Sequence, residues 1–454
     1  MSTSPGAADP HTATTPPIAG PPVSVAEVWR AWAPLAASWA VMGLEMPVVS
    51  AVIARLADPE LHLAAYGGVV FPVALIVEAP VIMLLAASVA LARDVASYRL
   101  IYRFMMWIGA GLTLLHALLA FTPLFDLVLV PLFDPHAGVV EPARLGLKIM
   151  LPWTWAIGYR RFMQGLLIRF GRSHHVSIGT ALRLVSVAAV SLAAAFLLGA
   201  EGIVAATAAI AVGVTLEAVY SAVAARPVVT GPLRAAQPVT PPLTLPGFMR
   251  FFLPLVLTSL LSLVVQPIGS AAMARMPMAL ESLAVWPVAS GLLFILRSLG
   301  FALNEVVVAL LDRPGAYRAL RRFSLLLSGA LLSVTALVAF TPLATFWFAD
   351  LSGLPPALTA LATLGLAWAL PWPVLDVVRN LVQGVAVHTR RTGVISWSMV
   401  VFLGVTGAAL AVGVALQRFP ALPVAMVAFV AATAAQVAWL WWSVRAERAR
   451  LAAA

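Results

Sequence analysis

The chain has 454 residues, of which 62% are hydrophobic and only 10% charged, against about 25% charged in an average soluble protein. So few charges cannot clothe the core of a soluble fold of this length. The net charge of +10 does not signal nucleic acid, because the basic residues sit in short clusters between long apolar runs. The absence of cysteine excludes disulfides, thiolate metal sites and cysteine nucleophiles. What remains is an all-α polytopic membrane protein.

Residues 1–22 are rich in Ala, Pro, Thr and Ser and hold no Lys or Arg. A signal peptide needs a basic segment ahead of an apolar one, so this stretch reads as a disordered cytoplasmic tail. Beyond it lie apolar segments of about 20 residues or more, enough to cross a roughly 30 Å hydrocarbon layer as helices. They predict twelve spans, near 29–53, 64–92, 101–121, 144–168, 176–199, 201–224, 248–272, 282–311, 320–341, 357–387, 393–416 and 420–443. The runs are continuously apolar, without the two-residue alternation of a membrane barrel. Eighteen basic residues fall in the loops of one side. Five (Arg55, Arg144, Lys148, Arg275, Arg418) fall on the other, and five lie within spans. The positive-inside rule places both termini in the cytoplasm. Arg outnumbers Lys by 27 to 1, a bacterial GC-rich bias, so the membrane expected is the inner (cytoplasmic) one. Trp439, Trp441 and Trp442 close the last span as an interfacial belt.

The two halves repeat each other. Ala120-Phe121-Thr122-Pro123-Leu124 recurs at an offset of 219 as Ala339-Phe340-Thr341-Pro342-Leu343. Leu151-Pro152-Trp153, Arg160 and Gln164-Gly165 recur at the same offset as Leu370-Pro371-Trp372, Arg379 and Gln383-Gly384. Pro34, Pro47 and Arg55 match Pro254, Pro267 and Arg275 at an offset of 220. Chance does not hold one offset across four spans. The expected organisation is a tail (1–22), an N-lobe of six spans (23–224), a cytoplasmic linker (225–246), a C-lobe of six spans (247–444) and a second tail (445–454). Six spans per repeat keep both repeats in one orientation, related by an axis along the membrane normal. Such lobes suit alternating access, with the solute held between them.

Ionisable groups at membrane depth are functional candidates by default. Glu45 lies mid-span, two residues before Pro47, where the proline frees a backbone carbonyl; a carboxylate there suits a coupling H⁺ or Na⁺. Gln266 precedes Pro267 in the matching segment, so the second lobe keeps the kink without the charge. Arg160 and Arg379 occupy equivalent positions and suit an anionic group held between lobes by forked hydrogen bonds. Against that stands internal pairing, since Asp376 is an i,i+3 neighbour of Arg379. Arg297 and Glu305 are eight residues apart on one helix face, and Arg297 has two readings: solute binding, or pairing with Glu78. Glu217, near a span end, reads as structural. His174-His175 lacks a third ligand. No Walker A, Ser/His/Asp or His-Glu-x-x-His pattern occurs, so no enzyme is expected.

The repeat, the six-plus-six spans and the cytoplasmic termini resemble the MOP exporter superfamily, which holds the MATE multidrug transporters, the oligosaccharide and lipid-precursor flippases and the progressive ankylosis (ANK) proteins. Leu63-Ala64-Ala65-Tyr66-Gly67, Gln266-Pro267-Ile268, Trp286-Pro287-Val288 and the series Pro373, Arg379, Gly384, Arg390-Arg391-Thr392 look most like the ANK branch. The resemblance implies a V-shaped pair of lobes that alternates between two openings. For the ANK branch it implies export of small organic anions, and for the MATE branch organic cation efflux driven by H⁺ or Na⁺. Glu45 resembles the first-span MATE acid in position and Asp376 a second-lobe acid.

The expectation is therefore a monomeric secondary exporter of a small organic anion in contact with membrane lipid, with no nucleic-acid partner and no cofactor beyond a coupling H⁺ or Na⁺. Glu45 and Asp376 would carry the ion. Arg160, Arg297, Arg379, Gln266, Glu78 and Glu305 would meet the solute. A MATE-type cation antiporter and a lipid-linked oligosaccharide flippase remain as alternatives.

Overall fold

The computed structural model describes residues 21–453; the tail expected at 1–22 lies almost wholly outside them. Among the described residues every regular element is helical. Eleven helices are long and apolar enough to cross a membrane: Val25–Ile53, Pro59–Leu91, Val95–Phe121, His174–Leu197, Gly202–Ala235, Leu245–Met273, Ala279–Leu310, Ala316–Phe340, Pro356–His388, Gly393–Leu416 and Ala421–Ser443. A twelfth, expected at 144–168, is present as Ala137–Ile149 followed by Leu151–Arg169. Its hydropathy is lowered by Arg144, Lys148, Arg160, Arg161 and Arg169, yet Arg160 is buried within the bundle. In chain order these twelve are spans 1 to 12, with the Arg160 helix as span 4.

The repeat is visible in where helices break. Span 1 breaks at Leu44 and span 7 at Val264, equivalent positions at the repeat offset of 220. Each break precedes a proline by three residues. Pro47 and Pro267 have no N–H, so the carbonyls of Gly43 and Leu263 lose their i+4 donor. Spans 4 and 10 break at Met150 and Ala369, again equivalent in the repeat, just before their Leu-Pro-Trp sequences.

Span 6 packs on spans 4 and 5 in the N-lobe, and span 10 on span 8 in the C-lobe. Between lobes, span 1 lies along span 8 and span 7 along span 2. Backbones come close at Gly67, in a widened π-type turn (Ala65–Val70), where a Cβ would stand 2.6 Å from Pro287 Cδ.

On the face that carries both described chain ends, here the terminus face, each lobe grips the segment entering the other. Val23 N–H donates to the Pro314 carbonyl at 3.0 Å, Glu27 pairs with Arg313, and the Trp32 indole donates to the Leu299 carbonyl at 2.8 Å. In the matching place Val239 N–H donates to the Asp94 carboxylate at 2.8 Å, and Phe248 and Phe252 pack on Phe104. Burial pushes the Asp94 carboxyl up, but hydrogen bonds from Ser97 and from the Val239 N–H outweigh it and hold the group below the usual carboxylate range. The helix of span 6 continues through Arg226 to Thr230, and residues 236–244 join the lobes without helix.

Candidate functional site: two buried charge clusters

Each lobe holds one cluster of charges inside its spans. In the N-lobe the hub is Glu217, fully buried on span 6. One oxygen pairs with Arg160 of span 4 and lies 3.4 Å from Arg183 Nε of span 5. The other accepts from the Gln164 amide at 2.9 Å. Arg160 and Gln164 are one turn apart and so share a face toward span 6. Arg161 is turned about 100° away and lies 4.0 Å from Glu78 of span 2. Arg183 reaches Glu45 at 3.0 Å. Glu45 is the first residue after the break in span 1, so the proline-induced break sets the acid at a helix start, where a negative charge is favoured. Three carboxylates thus face three guanidiniums.

The C-lobe cluster is smaller. Asp376 of span 10 is fully buried and pairs with Arg297 of span 8 and, at 2.8 Å, with Arg379 one turn along its own helix. Both arginine side chains remain 19% exposed. Arg297 lies 3.9 Å above the Trp372 ring, and Phe301 stands 5.7 Å from both guanidiniums. Trp372 is fixed by stacking on Phe429. Two positive charges therefore share one carboxylate beside aromatic faces, which hold cations well.

Two expectations need correction. Arg297 pairs with Asp376 and not with Glu78, which lies against Arg161 instead. Arg160 and Arg379 do not converge on one space: Arg160 is 3% exposed and turned into its own lobe, while Arg379 takes the i,i+3 pairing. Gln266 accepts from the Trp286 indole at 3.1 Å, the counterpart of Tyr66 hydroxyl to Met46 in the N-lobe. Glu305 is exposed and has no partner among the described residues; two turns separate it from Arg297, about 12 Å along the axis. Glu45 and Asp376 are both engaged by guanidiniums, and no group of three or more metal-type ligands occurs among the described residues. Arg161, Arg183, Glu217, Trp372 and Phe301 belong to these clusters and are not among the site residues expected from the sequence. Arg161, Arg183 and Glu217 are themselves intramembrane charges, the one signal that marks them.

No protein-family profile matches this sequence, and no curated protein matches it. Solved structures do. The chain superposes on the inward-facing conformation of a multidrug resistance MATE family transporter of the MOP superfamily with a TM-score of 0.69 at 15% identity, covering 91% of this chain and 98% of that one. The chain has the fold of the MOP superfamily. The outward-facing conformation under the same description gives a TM-score of 0.56 at 15% identity, over 94% and 97% of the two chains. The lipid II flippase MurJ in an inward closed conformation gives 0.64 at 12% identity, over 91% and 89%. One fold thus serves both a multidrug resistance transporter and a lipid II flippase.

Proposed function

We propose that this chain is a secondary transporter that exports a small organic anion by alternating access between its two lobes, as a monomer, with the terminus face in the cytoplasm of a bacterial inner membrane. The observation that carries the reading is the C-lobe cluster. Asp376 is wholly buried, while the two guanidiniums it serves are both partly open, so the lobe presents an uncompensated positive charge. A carboxylate or phosphate group of the solute would replace the missing counter-charge. Trp372 and Phe301 line the same place and suit a solute with some apolar surface. The motifs resembling the ANK branch in span 10 lie on the same helix and favour the same class. The higher TM-score with the inward-facing MATE structure supports an opening toward the terminus face in this state.

Glu45 is the proposed coupling group. A proton reaching it would break its contact with Arg183, and Arg183 would turn wholly to Glu217, so protonation and the packing of span 1 against span 5 are linked. A cation antiporter is the second reading, favoured by the exposed and unpartnered Glu305 among the described residues.

The test is uptake by proteoliposomes of the purified protein, comparing citrate, a nucleotide and pyrophosphate with an organic dye cation, with and without a pH gradient. The expected outcome is anion movement that falls at least tenfold in Arg297→Gln and in Arg379→Gln. Gradient-driven movement of the dye cation, lost in Glu45→Gln and indifferent to both arginine changes, would install the second reading.

A further inference from the structure

We propose that Arg55 and Arg275 form a two-point latch that holds the face opposite the termini shut and sets the balance between the two arrangements of the lobes. The proposal rests on the alternating-access reading above and adds to it the element that is made and broken in each cycle.

Arg55 leaves the far end of span 1. Its Nη2 donates to the carbonyls of Asp350 and Leu351 at 2.7 and 2.8 Å, across the lobe boundary, while Nη1 donates to its own Ala51 carbonyl at 2.8 Å. Arg275, its equivalent in the repeat, leaves the far end of span 7. It donates to the carbonyls of Pro131 and Leu132 at 2.7 and 3.1 Å, again across the boundary, and to its own Ala271 carbonyl. The accepting carbonyls are themselves repeat equivalents, Pro131 with Asp350 and Leu132 with Leu351, at the offset of 219. The contact is therefore reciprocal: each lobe inserts one arginine into the other.

The acceptors are chemically suited to this. Asp350 and Leu351 end the short helix Phe346–Leu351, and Pro131 and Leu132 lie in Val130–Phe133. The last carbonyls of a helix have no donor of their own and carry partial negative charge. A guanidinium from the opposite lobe caps them: Arg55 reaches both carbonyls with Nη2 while Nη1 holds its own helix, and Arg275 takes one carbonyl with each terminal nitrogen. Neither arginine has a carboxylate within ion-pair distance among the described residues, so the carbonyls are its only strong partners there. Each short helix is followed by a residue in the left-handed conformation, Asp134 (φ 44°) and Gly353 (φ 79°). At Gly353 a Cβ would stand 2.9 Å from Arg55 Nη1 and 3.2 Å from its Cζ, so a side chain there would push the guanidinium aside. Any rocking that opens this face must break all four interlobe hydrogen bonds together.

The chain has no cysteine, so Leu198→Cys and Phe419→Cys, both exposed on far-face loops of different lobes, can be spin-labelled uniquely in liposomes. Electron–electron double resonance then reads the distance between lobes on that face. The parent is expected to show mostly the shorter of two distances. Arg55→Ala and Arg275→Ala should each raise the longer population about tenfold relative to the shorter, and the double variant more. Gly353→Ala should shift it the same way with every charge retained. Arg144→Ala, which removes contacts to Asp126, Glu141 and the Phe125 ring, all within the N-lobe, should leave the ratio alone. Two distances in the parent with the same ratio in all latch variants would overturn the latch while leaving alternation standing. One unchanging distance in every protein, with or without added citrate, would overturn both.

Discussion

Replacing Glu217 with Gln removes the charge at the centre of the N-lobe cluster. Glu45, Glu78 and Glu217 balance Arg160, Arg161 and Arg183, so the variant leaves one positive charge uncompensated inside the membrane. Arg160 is 3% exposed and has no other ion-pair partner among the described residues, so water cannot replace the lost carboxylate. Removing one partner of a buried pair costs about 3–5 kcal/mol. Glutamine keeps the shape and an accepting carbonyl oxygen, which sets the expected loss at about 3 kcal/mol. Adding Arg160→Met should restore much of it, because replacing both partners by groups that need no counter-charge is close to neutral. Arg160→Met alone should cost less than Glu217→Gln alone, since Glu217 keeps Arg183 at 3.4 Å and Gln164 at 2.9 Å. The assay is a double-mutant cycle read by denaturant unfolding in detergent micelles. Additive losses, with a coupling under about 0.5 kcal/mol, would refute the hub geometry.

Two further changes probe the lobe contacts. Asp94→Ala removes the cap of span 3 and the anchor of the interlobe segment, at a cost of about 1 kcal/mol. Because the folded carboxyl sits below its ordinary value, its contribution is complete above the unfolded value near pH 4 and fades as pH falls through the lower folded value. Limited proteolysis within 236–244 should accelerate in the variant at about pH 7, and in the parent only in strong acid. Gly67→Ala places a methyl 2.6 Å from Pro287 Cδ and should part span 2 from span 8. Combined with it, Leu283→Cys, at a position buried in the parent, should react with an impermeant maleimide several times faster than Leu283→Cys alone.

The breaks and the partners of these helices were not equally legible in the sequence. Pro47 and Pro267 announce their breaks, because a missing donor acts on the backbone nearby whatever the tertiary context. The Asp376–Arg379 pair is also local, and i,i+3 spacing is enough to suggest it. Arg160 and Arg161 illustrate the limit. They are adjacent, point about 100° apart, and go to different acids on different spans. Which one faces Glu217 depends on how span 4 is rotated against span 6, and no residue spacing encodes that. Arg297 and Asp376 are distant in sequence and meet only because span 8 lies along span 10. Span 4 itself falls below the hydropathy of its neighbours for the same reason that it matters: its guanidiniums are spent on buried carboxylates.

The repeat also separates what both lobes must share from what one lobe can change alone. The breaks at Leu44 and Val264, the left-handed residues Asp134 and Gly353, and Arg55 and Arg275 keep their symmetry, as parts of a closure made equally by two lobes should. The charges do not. At the same offsets Glu45 faces Val265, Arg161 faces Asn380, Arg183 faces Phe402 and Glu217 faces Gln436. Only Arg160 and Arg379 survive as a matched pair, and their surroundings have diverged. Arg160 is drawn into its lobe by Glu217. Gln436, in the equivalent place, donates to the Ser398 hydroxyl at 3.1 Å and offers no charge, so Arg379 turns to Asp376, which Arg297 already occupies. One duplicated arginine thus became a brace in the N-lobe. In the C-lobe it became half of a pair that shares a single counter-ion, and this loss of symmetry is why the proposed solute site belongs to one lobe.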